Sequence, residues 1–234
     1  MKRLLLILSL ALLVTASACG SAQEAEEPEA QTEAVQAAEE TEPAVQAPPA
    51  DGETLVVYFS RVGNTDFPAD VDASSGASVV RTEDGIAGNA QLMAQWAAEE
   101  TGGTLFEIRT AEKYPIDYTE TTNVAKAEQN ENARPALAAE IEDFDSYATV
   151  CLVFPNWWGD LPMALYSFFE EYDFTGKTLY VSVTHGGSGF SRTVSTIEEL
   201  APGALVAEGL SVRDSDVPGA EDSVRAWARE TVAP

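Results

Sequence analysis

Cysteine, histidine and basic residues are scarce in this chain of 234 residues. Two cysteines, Cys19 and Cys151, make no disulfide framework. With a single histidine, His185, and no Cys-x-x-Cys pair, a zinc site is not expected, and we assign no metal. Only 13 lysines and arginines stand against 39 acidic residues, for a net charge of −26. That charge argues against nucleic acid as a partner and against electrostatic attraction to anionic lipid.

A long apolar run is also missing. The longest one, Leu4 to Val14, is too short to span a bilayer, and it follows the basic pair Lys2-Arg3. Small residues then lead to Cys19, the layout of a secretory signal over residues 1–18. It resembles a bacterial lipoprotein signal, in which Cys19 is acylated and becomes the mature N-terminus, although Ala16 stands where leucine is commoner. The alternative is an ordinary cleaved signal with an incidental cysteine.

Residues 19–52 have no apolar periodicity. They carry eight glutamates between Glu24 and Glu42 and no lysine or arginine. Such a segment cannot bury enough surface to offset its ordering entropy, so we predict an acidic, disordered tether. The chain is then expected to lie at the extracytoplasmic side of the cell membrane, held there only by its lipid anchor, with a folded domain over residues 53–234.

From residue 54 onward, apolar runs alternate with helical segments. Runs that are apolar throughout are typical of strands buried on both faces, as in a parallel sheet covered by helices. The pattern predicts an α/β fold with a doubly wound, five-stranded parallel sheet. The predicted strands are 54–59, 104–109, 149–154, 178–183 and one within 204–212, and the predicted helices are 89–100, 122–132, 162–171, 191–200 and 220–231.

Three loops follow predicted strands at the sheet edge where such folds bind ligands. The loop over 60–65 (SRVGNT) offers hydroxyls, an amide and a glycine that could surround an anion. The loop over 155–162 (PNWWGDLP) places two tryptophans where a planar ring could stack. The loop over 184–190 (THGGSGF) has exposed backbone groups that could bond the edge of a heterocycle.

These loops, with the stretches 114–115, 132–135 and 172–177, resemble the flavodoxin family, in particular the branch with a Trp-Trp loop and a Thr-His-Gly-Gly-Ser-Gly loop. The resemblance implies strand order 2-1-3-4-5 and bound FMN. It implies that the first loop holds the phosphate, while the second and third flank the flavin ring and its far edge. The residues concerned are Ser60, Arg61, Gly63, Asn64 and Thr65; Pro155, Asn156, Trp157, Trp158 and Gly159; and Thr184, His185, Gly186 and Gly187.

Two features depart from that family's pattern. Val62 stands where a threonine hydroxyl is usual, and residues 66–85 intervene before the first helix. This helix is expected to begin near Asn89 and Ala90, whose N–H groups would supply the positive end of its dipole. The phosphate site is therefore predicted to be split between 60–65 and 88–91.

Several residues have two readings. His185 could act as an acid, but a lone histidine in a glycine loop more often satisfies backbone groups, and we assign no catalytic residue. The two tryptophans could be core aromatics, although at least one is expected to face the ring. Cys151, inside a buried strand, is expected to be inert.

The leading function is an FMN-dependent electron carrier whose partner is a redox protein or a membrane electron donor. An NAD(P)H-dependent FMN or quinone oxidoreductase is the alternative within this class, although no Gly-x-Gly-x-x-Gly fingerprint follows a strand. A flavin-free binding module is the alternative outside it.

The inserted segment carries a further motif. Residues 72–78 (DASSGAS) resemble the short acceptor motif at which flavin transferases join FMN, through its phosphate, to a hydroxyl. Ser78 would be the acceptor. Ala73 stands where glycine is usual, and Ser78 stands where threonine is commoner. An ordinary loop of small residues would have the same sequence pattern.

Overall fold

The computed structural model describes residues 53–68, 70–71, 73 and 78–232. The predicted signal, Cys19 and the tether lie outside these residues, as do Asp72 and residues 74–77 of the acceptor motif. Ser78 lies within them.

Five parallel strands form the central sheet. They are β1 (Glu53–Phe59), β4 (Thr104–Ile108), β5 (Tyr147–Pro155), β6 (Thr178–His185) and β7 (Leu205–Arg213), in the spatial order β4-β1-β5-β6-β7. Counted along the chain within this sheet, that is 2-1-3-4-5, so the predicted strand order is confirmed. The order reverses between β1 and β5, where ligands bind in folds of this kind.

Helices cover both faces of the sheet, as the uninterrupted apolar strands require. They are α1 (Asn89–Thr101), α2 (Tyr118–Glu131), α3 (Met163–Glu171), α4 (Thr193–Leu200) and α5 (Glu221–Trp227), and α5 continues into a π-helical turn, Ala228–Val232. Short 3-10 turns lie at Phe144–Ser146 and Asp214–Gly219. The side chains of β1 alternate between two cores: Val56 and Tyr58 pack with α1 and α5, whereas Leu55, Val57 and Phe59 pack with α3 and α4.

The inserted segment contains structure that the sequence pattern did not predict. Strands β2 (Val79–Thr82) and β3 (Gly85–Gly88) form an antiparallel hairpin of four residues on each side. Gly85 follows the turn with a φ of 129°, a conformation that favours glycine. The prediction that the first helix begins after the insertion, at Asn89, is confirmed. The hairpin thus connects the segment after β1 to the start of α1.

Among the described residues, no helix is long and apolar enough to cross a membrane. Within the same residues, no group of three or more His, Cys, Asp or Glu side chains could hold a metal ion. Cys151 lies fully buried in β5, where burial raises the pKa of its thiol to about 12 and so keeps the thiol protonated.

Candidate functional site

A cavity of about 420 Å³ lies at the carboxyl ends of β1, β5 and β6. It brings together eight of the sixteen side chains or glycines that the sequence assigns to a cofactor, with one or more from each of the three loops. Its wall is made of Arg61, Ser78, Tyr118, Thr121, Thr122, Ala125, Pro155, Asn156, Trp157, Trp158, Thr184, His185, Gly186 and Asp214.

Hydrogen bonds tie the loops after β5 and β6 (155–160 and 184–192, the β5/β6 loops) to each other. The Asn156 amide donates to the carbonyl of Gly189 at 2.8 Å and accepts from the N–H of Gly159 at 3.0 Å. Its own N–H donates to the carbonyl of Thr184 at 2.8 Å. Asn156 thus lines the cavity and connects the two loops, and its side-chain polar atoms are engaged within the protein.

An ion pair reinforces the same connection. The Arg192 guanidinium donates to the Asp160 carboxylate at 2.6 Å, and the Tyr166 hydroxyl donates to the same oxygen at 2.8 Å. The bond to Asp160 raises the pKa of Arg192, while burial, followed by the bond to Asp160, raises the pKa of Tyr166 to about 12. Asp160 is 1% exposed, so a buried carboxylate connects the two loops.

The two tryptophans have different environments. Trp157 packs edge-on against Phe59 and Tyr114, with ring centroids 5.3 Å away in each case, so it belongs to the core and to the cavity wall at once. Trp158 is 54% exposed, and its indole N–H donates to the carbonyl of Thr122 at 3.0 Å. Its φ of 56° is unusual for a bulky residue and marks a constrained turn. Gly159, which follows it, lies outside the cavity wall.

Two polar atoms of the β6 loop have no hydrogen-bond partner among the described residues: Thr184 Oγ1 and His185 Nδ1, both buried. Burying such atoms unpaired costs free energy, so a pair of them on one cavity wall indicates a place for a polar ligand. Gly186 also lines the cavity, and its carbonyl accepts from Arg213 at 3.2 Å. Gly187 lies exposed, beside Arg213 and outside the wall.

Among the described residues of the wall, Arg61 is the one lysine or arginine. Its guanidinium donates to the carbonyl of Ile116 at 2.6 Å and to the Thr121 hydroxyl at 3.3 Å, and it lies over the rings of Phe67 and Tyr118. Burial lowers the pKa of Arg61 from its ordinary value, and Nε has no partner among the described residues. A desolvated cation with a spare donor favours an anionic ligand.

Asn64 and Gly63 do not line the cavity. The Asn64 amide donates to the carbonyls of Ser60 and Ile108, both at 2.9 Å, and its oxygen accepts the N–H of Thr110 at 2.8 Å. Asn64 is thus a buried link between the ends of β1 and β4. At Gly63, where φ is 95°, a Cβ would meet the Glu107 carboxylate of β4, so the position has room only for glycine.

The remaining predicted residues form a buried layer beside the cavity. The side-chain oxygens of Ser60, Thr65 and Asn89 have no hydrogen-bond partner among the described residues. A Cβ on Gly88 would come within 1.8 Å of Ser60 Oγ, so Ser60 lies directly against the start of α1, where Asn89 and the buried Ala90 begin the helix. We call Ser60, Arg61, Thr65, Ser78 and Asn89 the β1 corner.

Sequence reasoning missed two parts of the wall. Tyr118, Thr121, Thr122 and Ala125 come from α2, and the spacing of Tyr118, Thr121 and Ala125 puts them on one helix face. Asp214 follows β7, and its carboxylate accepts from the Asn89 amide at 2.9 Å. The available signal was topological, because the chain after β4 and after β7 also emerges at the carboxyl edge of the sheet.

Comparison with known proteins agrees with this geometry. A sequence model of the flavodoxin family matches residues 83–231, more than half of the chain. The chain belongs to the flavodoxin family. The flavodoxin match includes the β5/β6 loops and Asn89, whereas Ser60 to Thr65 and Ser78 lie before it. No curated protein matches the sequence.

Three solved structures are similar to this flavodoxin-family chain. A candidate flavoprotein from Bacteroides uniformis is 26% identical, with a TM-score of 0.57, over 76% of this chain and 98% of its own. A second one, from Bacteroides eggerthii, is 22% identical, with a TM-score of 0.57, over 79% and 100%. A flavoprotein from Lactobacillus acidophilus in complex with FMN is 19% identical, with a TM-score of 0.49, over 72% and 97%.

Proposed function

We propose that this protein binds FMN in the cavity at the carboxyl ends of β1, β5 and β6 and carries electrons at the outer face of the cell membrane. One observation carries the proposal. Three buried polar atoms on residues of the cavity wall, Arg61 Nε, Thr184 Oγ1 and His185 Nδ1, have no partner among the described residues. All three belong to loops that the flavodoxin resemblance assigns to FMN.

The wall fits FMN in size and in chemistry. A volume of about 420 Å³ lies within the range of small-molecule sites, and the wall combines aromatic and polar groups as such sites do. Trp157 and Trp158 offer apolar surface for a planar ring. The start of α1 favours an anion, and the Ser60 hydroxyl beside it has no partner among the described residues and could donate to a phosphate.

FMN, when bound, supplies reversible electron transfer, and the protein sets its position and its electrostatics. Arg61 supplies positive charge at the wall. The bonds from Asn156 and Asp160 hold the β5/β6 loops in place before any ligand arrives, so less ordering entropy is lost on binding. The net charge of −26 disfavours added negative charge on the cofactor and thus lowers its reduction potential.

A second candidate function is an FMN-dependent oxidoreductase that takes NAD(P)H or a quinone. A neighbouring groove of about 820 Å³ favours it, because the groove shares Arg61 and Tyr118 with the cavity and could admit a second small molecule. The remaining lining residues of the groove are Phe67, Val71, Val79, Pro115, Ile116, Asp117, Thr119 and Glu120.

Two measurements test the function. FMN added to the full-length protein, purified free of flavin, is expected to raise its melting temperature by mass action. Anaerobic reduction then separates the candidates: a carrier is reduced faster by a membrane quinol or a redox protein than by NADPH, and a reductase shows the reverse. If FMN changes neither the melting temperature nor the visible spectrum, the chain is a flavin-free module.

The location rests on Cys19 and the tether and has its own test. Changing Cys19 to serine should release the protein from membranes and leave its FMN affinity unchanged, because the acidic segment separates the anchor from the domain. Retention of Cys19→Ser in the membrane fraction would contradict lipid anchoring at this residue.

A further inference from the structure

We propose that Ser78 is the site at which FMN becomes covalently joined to this protein, through a phosphoester with the serine hydroxyl. The inference rests on the proposed function, because it concerns the same cavity. It also rests on where the structure places Ser78, which the acceptor-like motif singles out without giving its position.

Ser78 lies in the wall of the cavity and directly beside the start of α1. It is 9% exposed, and its carbonyl accepts the N–H of Asn89 at 3.1 Å. The next residue, Val79, pairs with Gly88, and Gly88 in turn lies against Ser60 Oγ. The hairpin therefore brings Ser78 to the start of α1, although Ser78 lies 17 positions after the first loop's Arg61 in the chain.

That corner is where a phosphate is expected. The N-terminus of α1 favours an anion, and the unpaired, buried Ser60 hydroxyl lies directly against Gly88, where α1 begins. Of the β1 corner, Arg61 and Ser78 line the cavity, and Ser60, Thr65 and Asn89 do not. Ser78 thus contributes a hydroxyl-bearing residue that faces the same space as the cofactor.

Reversible binding of the phosphate is weakened in two ways. Val62 has no hydroxyl, and the Asn64 side chain is engaged by Ser60, Ile108 and Thr110. A phosphoester to Ser78 would replace these missing contacts with a bond that does not dissociate.

Charge favours the same arrangement. A phosphomonoester carries about −1.5 to −2 at neutral pH, and joining it to a second hydroxyl leaves a single negative charge. Arg61 is the cationic side chain among the described wall residues, and the carboxylate of Asp214 also lines the cavity. One phosphate charge matches one guanidinium better than two charges do.

The reaction requires flavin adenine dinucleotide as the donor and a flavin transferase as the catalyst. The Ser78 oxygen attacks the phosphorus on the riboflavin side of the pyrophosphate. One P–O bond forms, the bond to the AMP phosphate breaks, AMP leaves, and the serine proton passes to solvent or to AMP. No electron is gained or lost.

The test is intact-mass spectrometry of the full-length protein and its variants isolated from the native cell, before and after acid precipitation. The expected result is a gain of one FMN minus one water per chain, flavin fluorescence that stays with the acid pellet, and an adduct on the peptide that contains Ser78. Ser78→Ala should lose the adduct, Ser78→Thr should keep it, and the matched change Ser223→Ala, at an exposed position outside the motif, should keep it as well.

Two results would overturn the inference. One is wild-type protein whose flavin is all released by acid, and the other is an adduct that persists in Ser78→Ala. A titration of Ser78→Ala with free FMN separates this outcome from failure of the proposed function. If the wild type binds FMN reversibly and carries no adduct, the covalent bond is wrong and the proposed function stands. If there is neither an adduct nor binding, both proposals are wrong.

Discussion

The β5/β6 loops and the β1 corner border one cavity but are held in different ways. In the β5/β6 loops, Asn156 and Asp160 hold the chain with bonds of 2.6–3.0 Å, and Asp160 pairs with Arg192. In the β1 corner, the side-chain oxygens of Ser60, Thr65 and Asn89 have no partner among the described residues. Both regions keep unpaired buried atoms, Thr184 Oγ1 and His185 Nδ1 in the first and the hydroxyls of Ser60 and Thr65 in the second. The difference is that the two β5/β6 loops are bonded directly to each other.

The difference follows from where the residues lie in the chain. Both β5/β6 loops directly follow neighbouring strands of the sheet, so bonds between residues 32 to 34 positions apart connect them. The β1 corner assembles residues from the end of β1, the inserted hairpin and the start of α1. Its organisation therefore depends on longer-range contacts, such as that of Asn89 with Asp214, 125 positions away.

The largest effect is expected from a change that disrupts the β5/β6 loops. Asp160→Ala removes a buried carboxylate and its bonds to Arg192 and Tyr166, so we expect a loss of about 2–3 kcal/mol in unfolding free energy. FMN affinity should fall with it, because the loops lose their connection. Urea unfolding measures the first effect, with the exposed Glu198→Ala on α4 as the control. Equal stability of the two variants would show that Asp160 does not organise the loops.

A matched serine pair tests the β1 corner. Ser60 and Ser182 are each 1% exposed, but Ser182 Oγ accepts the N–H of Leu210 at 2.9 Å while Ser60 Oγ has no described partner. Without ligand, Ser182→Ala should lose about 1 kcal/mol of unfolding free energy, and Ser60→Ala should lose none. FMN affinity should fall about tenfold in Ser60→Ala, which is about 1.4 kcal/mol.

The opposite pattern would contradict the account of the corner. If Ser60→Ala destabilises the ligand-free protein as much as Ser182→Ala and binds FMN as the wild type does, then Ser60 is a structural residue. Thermal unfolding and a flavin titration on the same samples give both answers.

A smaller effect, on the pH dependence of stability, is expected at Glu128 of α2. It accepts from the Tyr114 hydroxyl at 3.0 Å, and Tyr114 packs against Trp157. Burial raises the pKa of Glu128 above its ordinary value of 4.5, against the opposing hydrogen bond from Tyr114. The folded chain therefore holds this proton more tightly than the unfolded chain, and the stability that this provides is lost as the pH rises through the folded-state pKa.

Glu128→Gln keeps an acceptor oxygen and removes the charge. Its melting temperature should exceed that of the wild type at pH 8, and the difference should vanish near pH 4, where both side chains are neutral. Glu131→Gln, an exposed position on the same helix, is the control. A difference that is constant with pH would show that the ionised carboxylate carries no cost.

The smallest expected effect concerns charge at the β1 corner. Asp214 lines the cavity and accepts from Asn89 at 2.9 Å, so its carboxylate lies near the start of α1. Asp214→Asn should strengthen FMN binding by a few-fold at low salt and less at high salt, because like charges repel and salt screens them. Affinity that is unchanged at both salt concentrations would place the phosphate elsewhere.

Much of the fold could be predicted from the sequence because its strands are distinctive. Runs such as 54–59 and 149–154 are apolar on both faces, which indicates a covered parallel sheet, and the strand order followed from the family resemblance. The β2–β3 hairpin could not be predicted in the same way. Its strands have four residues each, too few to show a period, and it lies among small and polar residues.

The site was predictable in its loops and unpredictable in its distant contacts. Trp157, Thr184 and His185 line the cavity, as expected from their places after strands. The engagement of Asn64 depends on Ile108 and Thr110, more than 40 residues away, which no local pattern reveals. Asp214 and the α2 wall carry no motif, so only the folded chain identifies them.

The most direct test of the account is an equilibrium titration with FMN and with riboflavin, followed by quenching of flavin fluorescence. The protein is the full-length chain purified from a host without a flavin transferase, so that Ser78 carries no FMN. Both flavins share the ring, and only FMN has the phosphate. The account predicts that FMN binds and that riboflavin binds more weakly, because the β5/β6 loops contact the ring and the β1 corner holds the phosphate. If neither flavin is quenched, the cavity is not a flavin site and the central claim is wrong.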